Sequence, residues 1–531
     1  MRLSPPDVCM ELARKTALHY ACRSAAVRPG LRRWCVSLPA AVLLPVAAAC
    51  AQSDTQARTV AVQPLASIAQ TFSDNVHLAP TGGQAGSITQ VSAGVGLRAR
   101  SGLVHGFLDY SLSQFLYSVG GQNTLQNALN ANLDTDLVAG RAKLGMTASI
   151  AQSAVSAFAA QPGLGGGSQS NSTEVRNLRI SPSFRGPIGT GLQYSSDWSY
   201  TVSDARNTSV GDGSTASAAL RIEPATSARL GWGVDLSHVR SAFKLGRTTT
   251  DDRLFGGASW RVDDLDLQTQ ASVGIEATDI TSVRRETFRT WGVGAVWAPS
   301  PRTKLAAQYD HRFFGPSHSL TFEHRTALTT WRLTDSRSVS TAGNQAGLGG
   351  QGTAYDLFYS QFASAVPDPD MRKAFVIDFL NRLGIADPNQ PVGFLRSSAT
   401  LQNAQEASVA WRDVRSAAVL SYTRTTTQRL DTVAGLVGDL ANSSSVRLRG
   451  LSLNLTHRLT PMSSVNLLLS EQHGQGALAV QSSQQRLVSA QYTVRPTQWS
   501  SLSAGLRRAH YATSLLSYGE SAIFATYGIR F

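Results

Sequence analysis

Cysteine is missing from most of this chain. All four cysteines lie within the first 50 of its 531 residues, at Cys9, Cys22, Cys35 and Cys50. The remainder therefore has no disulfide framework, no cysteine zinc site and no thiol nucleophile.

Charged residues and long apolar runs are also scarce. Charged residues make up 16% of the chain, hydrophobic residues 42%, and the mean hydropathy is -0.11. After residue 51, no window reaches the ~18 consecutive apolar residues that a transmembrane helix needs. The 45 glycines and the low charge are also unusual for a cytoplasmic globular protein. The composition therefore disfavours both a helix bundle and a helical membrane protein.

The first 51 residues predict a signal peptide with an extended leader. A basic stretch at 28–33 precedes an apolar run at 34–49, which is too short to span a bilayer. Ala49-Cys50-Ala51 matches a small-x-small cleavage site, so we expect the mature chain to begin near Gln52 and to be exported. One alternative is lipidation of Cys50, and a second is a later start at Met10.

The region 52–531 repeatedly alternates apolar and polar residues. This period of two is typical of strands with one apolar and one polar face. Examples are Leu230, Trp232, Val234 and Leu236, interleaved with Gly231, Gly233, Asp235 and Ser237, and Leu451, Leu453 and Leu455, interleaved with Ser452 and Asn454.

The links between these strands distinguish a barrel from a soluble sandwich. Ten short links are predicted, at 98–102, 138–141, 185–190, 223–227, 263–264, 298–302, 325–326, 412–415, 460–462 and 495–498. The connections between them are mostly longer, including 73–86, 152–172, 204–215, 241–251, 341–397, 427–444 and 471–482. Short turns that alternate with long loops are typical of outer-membrane barrels. We therefore predict an all-β, antiparallel, up-and-down transmembrane β-barrel of about 22 strands, within a range of 18 to 24.

The chain ends in an aromatic strand. Tyr527, Ile529 and Phe531 share one face, and Gly528 and Arg530 lie on the other. This ending resembles the signal read by the outer-membrane assembly machinery, which we therefore expect to be a partner.

Four tryptophans lie at or beside predicted short turns, namely Trp260, Trp297, Trp411 and Trp499. An aromatic girdle at a membrane interface would place tryptophans there, and we expect outer-membrane lipid to contact them. The alternative is that they are ordinary core aromatics.

The segment 341–397 is too long for a plain loop. Two short helices are predicted within it, at 354–362 and 371–383, with Asp368 as the N-cap of the second. Phe375, Phe379 and Leu383 belong to an apolar stripe on that second helix. The insertion is therefore a candidate plug or lid, the alternative being a surface insertion that packs on neighbouring loops.

Converging catalytic groups are hard to find. The densest titratable cluster holds Asp310, His311, His318, Glu323 and His324, and no serine is set apart beside it. No phosphate-binding, dinucleotide or metal-ligand spacing appears. We expect no enzyme activity, no cofactor and no metal. Arginine outnumbers lysine, but no basic stripe interleaved with aromatics indicates nucleic-acid binding.

Several runs together resemble a known family. They are TFSDNVHLAP at 71–80, WAPSPRT at 297–303, YDHRFFG at 309–315 and FASAVPDP at 362–369. In this order they are similar to the uncharacterised outer-membrane β-barrel proteins associated with the PEP-CTERM/exosortase system. The resemblance implies a Gram-negative envelope protein tied to loci for exopolysaccharide production and surface-protein sorting. The family has no established catalytic residues to transfer.

These observations lead to three hypotheses. The first is a barrel that acts without catalysis in envelope biogenesis or exopolysaccharide export, as a channel or a scaffold. The polymer or its export components would then be partners. The second is a barrel-embedded envelope hydrolase that uses His311 and His318. The third is a structural or adhesive surface barrel.

Overall fold

The computed structural model describes residues 59–79, 81–120, 123–159, 171–226, 229–341, 353–363, 365–366, 372, 375–376, 393–431 and 438–531. The predicted leader at 1–51 lies outside these residues. Within the described part of the chain, no helix has the length and apolarity needed to cross a membrane.

Twenty-two antiparallel strands follow one another along the chain. Their bounds are β1 Thr59–Ser73, β2 Gly86–Arg100, β3 Val104–Tyr117, β4 Thr124–Val138, β5 Ala142–Ala154, β6 Ser172–Ile188, β7 Leu192–Ala205, β8 Gly213–Pro224, β9 Leu230–Phe243, β10 Thr248–Val262, β11 Leu267–Thr278, β12 Glu286–Ser300, β13 Thr303–Arg312, β14 Gly315–Arg325, β15 Thr329–Ser340, β16 Thr400–Arg412, β17 Ser416–Arg429, β18 Ser445–Thr460, β19 Ser463–Gln475, β20 Ser482–Val494, β21 Ser500–Thr513 and β22 Ser517–Arg530.

Every strand pairs with its sequence neighbours, and the last strand pairs with the first. The β1–β22 register runs from Leu65 opposite Arg530 to Ser73 opposite Ala522. The sheet is therefore closed, and neither edge is left to pair with another chain. The predicted up-and-down barrel and its strand number are confirmed.

The two ends of the barrel differ in their connections. Ten short links join the strands at one end, here called the turn end: 101–103, 139–141, 189–191, 225–229, 263–266, 301–302, 326–328, 413–415, 461–462 and 495–499. Gly140 and Gly189 adopt the left-handed conformation (φ 68° and 60°) that such tight reversals require. A short 3-10 helix, Asp263–Leu265, forms part of one link.

Eleven connections lie at the opposite end, here called the loop end. They are 74–85, 118–123, 155–171, 206–212, 244–247, 279–285, 313–314, 341–399, 430–444, 476–481 and 514–516. Some of these connections are short. The β13–β14 connection, for example, has only two residues, Phe313 and Phe314. Two helices occur in the longer ones: α1 spans Thr353–Gln361 and α2 spans Asp439–Asn442.

The alternation in the sequence determines which side chains face the lumen. In β18, Leu451 is exposed on the outer face, whereas Asn454 and Thr456 are buried on the inner face. Directly paired residues share a face, so the register carries this assignment around the barrel. The outer wall is therefore apolar and the inner wall polar, as a lipid-embedded barrel requires.

Closure can be tested by cross-linking the first and last strands. Ala69→Cys with Thr526→Cys places two thiols at directly paired positions of β1 and β22, in a barrel made from residues 52–531, which contain no other cysteine. We expect oxidation to join the strands and to change the migration of the boiled, non-reduced chain on a gel.

A matched control pairs Ala69→Cys with Ala271→Cys in β11, far around the barrel wall. This second pair should stay reduced. Absence of a disulfide in the first pair, with folded protein recovered, would contradict the closed sheet.

Candidate functional site

The lumen of the barrel is the candidate site, and its wall is lined by polar residues. Hydroxyl and amide side chains face inward around the barrel, for example Ser199 and Ser217, whose Oγ atoms lie 2.8 Å apart, and Asn454 and Asn466, joined by a 3.1 Å hydrogen bond. Such a wall presents many neutral hydrogen-bonding groups.

The charged residues of the inner wall are largely paired with one another. Arg98 forms a two-pronged ion pair with Asp109, with both distances 2.9 Å. Arg221 contacts Glu223 and Asp235 at 2.8 and 3.2 Å. Because these guanidinium groups are matched by carboxylates, the wall does not present a strong field of one sign.

A buried ionic cluster lies on the inner wall towards the loop end. The carboxylate of Glu276, fully buried, contacts both Arg312 and Arg253, the latter at 3.0 Å. Arg253 Nε also donates to Asp251 at 2.8 Å. Removing one member of such a buried cluster is strongly destabilising, because it leaves an uncompensated charge. Both carboxylates contact guanidinium groups, while Oδ1 of Asp251 is buried without a hydrogen-bond partner.

The long insertion descends through the lumen to the turn end. Its helix α1 buries Leu357 and Phe358 against Ala410 of β16 and against Ala417 and Val419 of β17. These wall residues face inward, since their neighbours Trp411 and Leu420 are exposed on the outer face. Residue 341 and residues 393–399 lie at the loop end, whereas α1 lies near the turn end. We call the described residues 353–376 the plug segment.

Arginines of the wall hold the plug segment in place. Arg325, the last residue of β14, donates from Nη1 to the Ser360 carbonyl at 2.9 Å. The guanidinium of Arg412 lies 4.2 Å from the centroid of the Phe362 ring. Both arginines adjoin short links, which places these contacts at the turn end.

Asp356 of α1 forms the main charged contact of the plug segment with the wall. Its Oδ2 lies 3.4 Å from Nη1 of Arg332. Burial raises the pKa of Asp356 from its ordinary value; the charge of Arg332 opposes this shift, and the nearby carboxylates of Glu406 and Glu323 add to it. Docking of α1 therefore brings the Asp356 carboxylate close to those of Glu406 and Glu323. The guanidinium of Arg332 offsets part of this negative charge. Burial likewise raises the pKa of Tyr355 to about 12, so that phenol stays neutral.

The returning leg of the insertion, 393–399, closes part of the loop end. Phe394 forms a parallel bridge with Ala154 at the end of β5, and Leu395 packs among Val175, Ala205 and Val210. Arg396 then donates to Thr400 at 2.8 Å, at the start of β16. β5 and β16 lie on opposite sides of the 22-strand cycle, so this leg bridges the mouth. Burial lowers the pKa of Arg396 to about 10, which leaves it protonated at neutral pH.

A second set of contacts closes the mouth beside this leg. The Asp439 carboxylate of α2 accepts hydrogen bonds from Ser156 Oγ at 2.8 Å and from the Ala157 amide at 2.6 Å. Burial raises its pKa, while these hydrogen bonds work in the opposite direction. Ala157 is buried with Leu440 and Phe394. We call residues 155–159, 393–399 and 438–443 the mouth loops.

The four tryptophans named above lie near the turn end with exposed rings. Their relative exposures range from 37% for Trp411 to 60% for Trp260. Trp232 at the start of β9 and Trp331 at the start of β15 are similarly exposed near this end. The sequence did not point to these two because they lie inside strands, each as the third residue after a short link.

The C-terminal residues close the barrel. Tyr527 pairs with Ile68 and Ile529 with Ala66 of β1, while the Phe531 amide donates to the Pro64 carbonyl at 2.9 Å. The aromatic rings of Tyr527 and Phe531 are exposed. Their role as an assembly signal stays a prediction.

The predicted apolar stripe of the insertion is only partly described. Phe375 is described, and its ring meets that of Phe362 edge-on with centroids 4.7 Å apart. Phe379 and Leu383 lie outside the described residues. The first predicted helix, 354–362, corresponds to α1 with a shift of one residue.

The structure does not bring the candidate catalytic residues together. His311 pairs with the outward-facing Trp291, and His318 pairs with Tyr309, so both imidazoles lie on the outer face. Asp310 belongs to the opposite, inner face, where it accepts from Gln308 at 2.7 Å. The cluster is therefore divided between the two sides of the wall.

Comparisons with known proteins return similar solved structures only. No family model matches the chain, and no curated protein matches it. The FrpB iron transporter of Neisseria meningitidis is 9% identical, with a TM-score of 0.44, over 88% of this chain and 81% of that one. OccK5 (OpdH) of Pseudomonas aeruginosa is 8% identical, with a TM-score of 0.32, over 88% and 98% of the two chains. A loop-deleted OmpT, an outer membrane protein of Vibrio cholerae, is 8% identical, with a TM-score of 0.30, over 90% and 100%.

The raised pKa of Asp356 makes docking of the plug segment depend on pH. Because docking raises the pKa of Asp356, the protonated carboxyl favours the docked state at a pH below its ordinary pKa. This contribution to docking is lost as the pH rises through the raised pKa. A spin label on Ser360→Cys should therefore show a larger mobile fraction by electron paramagnetic resonance at pH 8 than at pH 4.

The matched control adds Asp356→Asn to the labelled chain. Without an ionisable group at this position, the pH dependence should flatten. An equal pH dependence in both chains would contradict the assignment to Asp356.

Proposed function

We propose that this protein is an outer-membrane channel with a closed resting state, which acts without catalysis in exopolysaccharide export. The plug segment closes the turn end of the lumen, and the mouth loops close the loop end. Transport requires at least the plug segment to move. The loop end faces the outside of the cell, as the asymmetry of the connections favours.

The observation that supports a channel most directly is the docking of the plug segment. A barrel of 22 strands encloses far more space than its own inward side chains fill. Among the described residues, the helix α1 lies in this space at the turn end and is held by an apolar cluster and three arginines. A gate needs side-chain contacts that can be broken and remade, and such a docked helix offers them.

The chemistry of the wall supports a hydroxyl-rich cargo. Neutral serine, threonine, asparagine and glutamine side chains exchange hydrogen bonds readily with sugar hydroxyls, and the paired arginines leave no strong preference for anions. The resemblance to barrels of the PEP-CTERM/exosortase system supports a polysaccharide as the cargo.

Conductance across a planar bilayer tests the gate. We expect the intact mature barrel to be nearly closed, and the barrel lacking 341–397, with a short linker in its place, to show large, stable steps. Arg332→Gln should raise the open probability by up to about fivefold, because among the described residues Arg332 is the cation within 4 Å of the Asp356 carboxylate.

Arg240→Gln serves as the matched control, since Arg240 faces outward on β9 and its loss should leave the open probability unchanged. Equal conductance of the intact and deleted barrels, both heat-modifiable on gels and therefore folded, would overturn the gate.

Secretion assays in the source bacterium test the cargo. We expect deletion of the gene to lower extracellular polysaccharide while intracellular or periplasmic polymer accumulates, and a plasmid copy to restore export. Unchanged polymer in both fractions would contradict a role in export, whatever the conductance experiment shows.

A further inference from the structure

The outer wall of the barrel has an uneven distribution of charge above its apolar band. On β18 the outward residues run Leu455, Leu453 and Leu451 towards the loop end, and the next outward position is Arg449. The same change from apolar to basic occurs on three other strands of this arc, at Arg424 of β17, Arg486 of β20 and Arg508 of β21. We call Arg424, Arg447, Arg449, Arg486 and Arg508 the basic belt.

The basic belt has few carboxylates beside it, and among the described residues Asp74, which lines the same recess as Arg486 and Arg508, forms no ion pair with either. On the outward positions of the strands β17 to β21, the acidic residue is Glu471. Its Oε1 already lies 2.9 Å from Arg486 Nε and 3.0 Å from His473 Nε2. Among the described residues, Arg424, Arg449 and Arg508 form no ion pair. Moreover, Arg424 and Arg449 are direct cross-strand partners, an arrangement in which like charges repel.

The opposite arc of the wall differs in this respect. There, Asp252 contacts both His238 and Arg285, and Asp335 lies 3.4 Å from His318. These carboxylates supply counter-charge from within the protein, although Arg240, Arg289 and Arg337 also face outward there without an ion pair among the described residues. The basic belt is distinguished by its density, with five arginines on four strands, and by the direct pairing of Arg424 with Arg449.

Concave surfaces accompany the basic belt. Arg447, Arg449 and His473 line a recess of about 390 Å³, in which Nε of Arg447 is buried without a hydrogen-bond partner. Arg508 lies at the edge of a larger groove of about 1000 Å³, whose apolar lining includes Phe72, Leu506 and Ile523. The wall thus offers guanidinium groups beside an apolar groove.

We infer that this arc binds the phosphorylated glycolipid of the outer leaflet, of the lipid A class. Its phosphates would accept paired hydrogen bonds from the basic belt, since guanidinium groups match phosphate oxygens in geometry and charge. Its acyl chains would lie along the apolar groove below. The inference rests on the orientation proposed above, with the loop end outside, but not on the gate.

Charge favours this occupant over a second copy of the chain. Two copies meeting through the same arc would bring two basic belts together, and like charges juxtaposed at an interface cost several kcal/mol. A phosphate-bearing lipid instead supplies the missing negative charge within the plane of the membrane, where basic residues gain most from anionic lipid.

The test uses the full mature barrel, refolded without native lipid and titrated with purified lipid A in detergent, with binding followed by native mass spectrometry. We expect Arg424→Gln/Arg449→Gln/Arg508→Gln to weaken lipid A binding by roughly tenfold or more. Dephosphorylated lipid A should bind the native barrel about as weakly, and inorganic phosphate should not displace lipid A.

The matched control removes three exposed arginines at the turn end, with Arg261→Gln/Arg302→Gln/Arg415→Gln, and should bind lipid A as the native barrel does. Heat-modifiable migration verifies that both variants are folded. Equal lipid A binding by the native barrel and the belt variant would overturn the inference, as would equal binding of the dephosphorylated lipid.

A native dimer that the belt variant disperses, with lipid binding unchanged, would likewise overturn the inference in favour of a second copy. Bilayer conductance is measured separately, so failure of lipid binding and failure of the gate are distinguishable.

Discussion

Satisfaction of the backbone hydrogen bonds is the constraint on which the rest of this structure depends. A lipid bilayer offers no water to an unpaired amide or carbonyl, so a sheet can lie in it only if it has no free edge. The pairing of β1 with β22 meets that requirement. Once the sheet is closed, every strand has one face towards lipid and one towards the lumen. The alternation of apolar and polar residues in the sequence follows from this geometry.

Closure with 22 strands creates a second requirement, because the enclosed lumen is too wide for the wall's own side chains to fill. The structure meets it differently at its two ends. At the turn end, α1 packs against the inner wall through Phe358 and Arg325. At the loop end, Leu395 and Asp439 lie in loops that cross the mouth and contact the opposite wall. The proposed gate is placed at the turn end, where the titratable Asp356 of α1 meets Arg332 of the wall.

The fold could be predicted because its signals are local. Strand periodicity, turn residues and the difference between short and long links all lie within about ten residues of one another in the sequence, and they reproduce all ten short links. Trp411 and Trp499 could be placed near the turn end for the same reason. Of the two helices predicted in the insertion, the first was placed to within one residue.

The site was much less predictable, since its contacts join residues far apart in the sequence. The pairing of Asp356 with Arg332 depends on how deep the insertion descends, and no local pattern specifies that depth. Asp310 and His311 are adjacent in the sequence, yet they face opposite sides of the wall because successive residues of a strand alternate. That separation removes the geometric basis for the hydrolase hypothesis at this cluster.

The sequence by itself determined the class of the fold, the number of strands and the inward or outward direction of each side chain, because a period of two and the turn chemistry need no long-range information. Only the tertiary structure decided what occupies the lumen and which charges remain unmatched. Arg424 and Arg449 become neighbours only through strand register, and α1 meets β16 only after the insertion has entered the barrel. Those contacts depend on closure of the whole sheet, which no segment of the chain encodes alone.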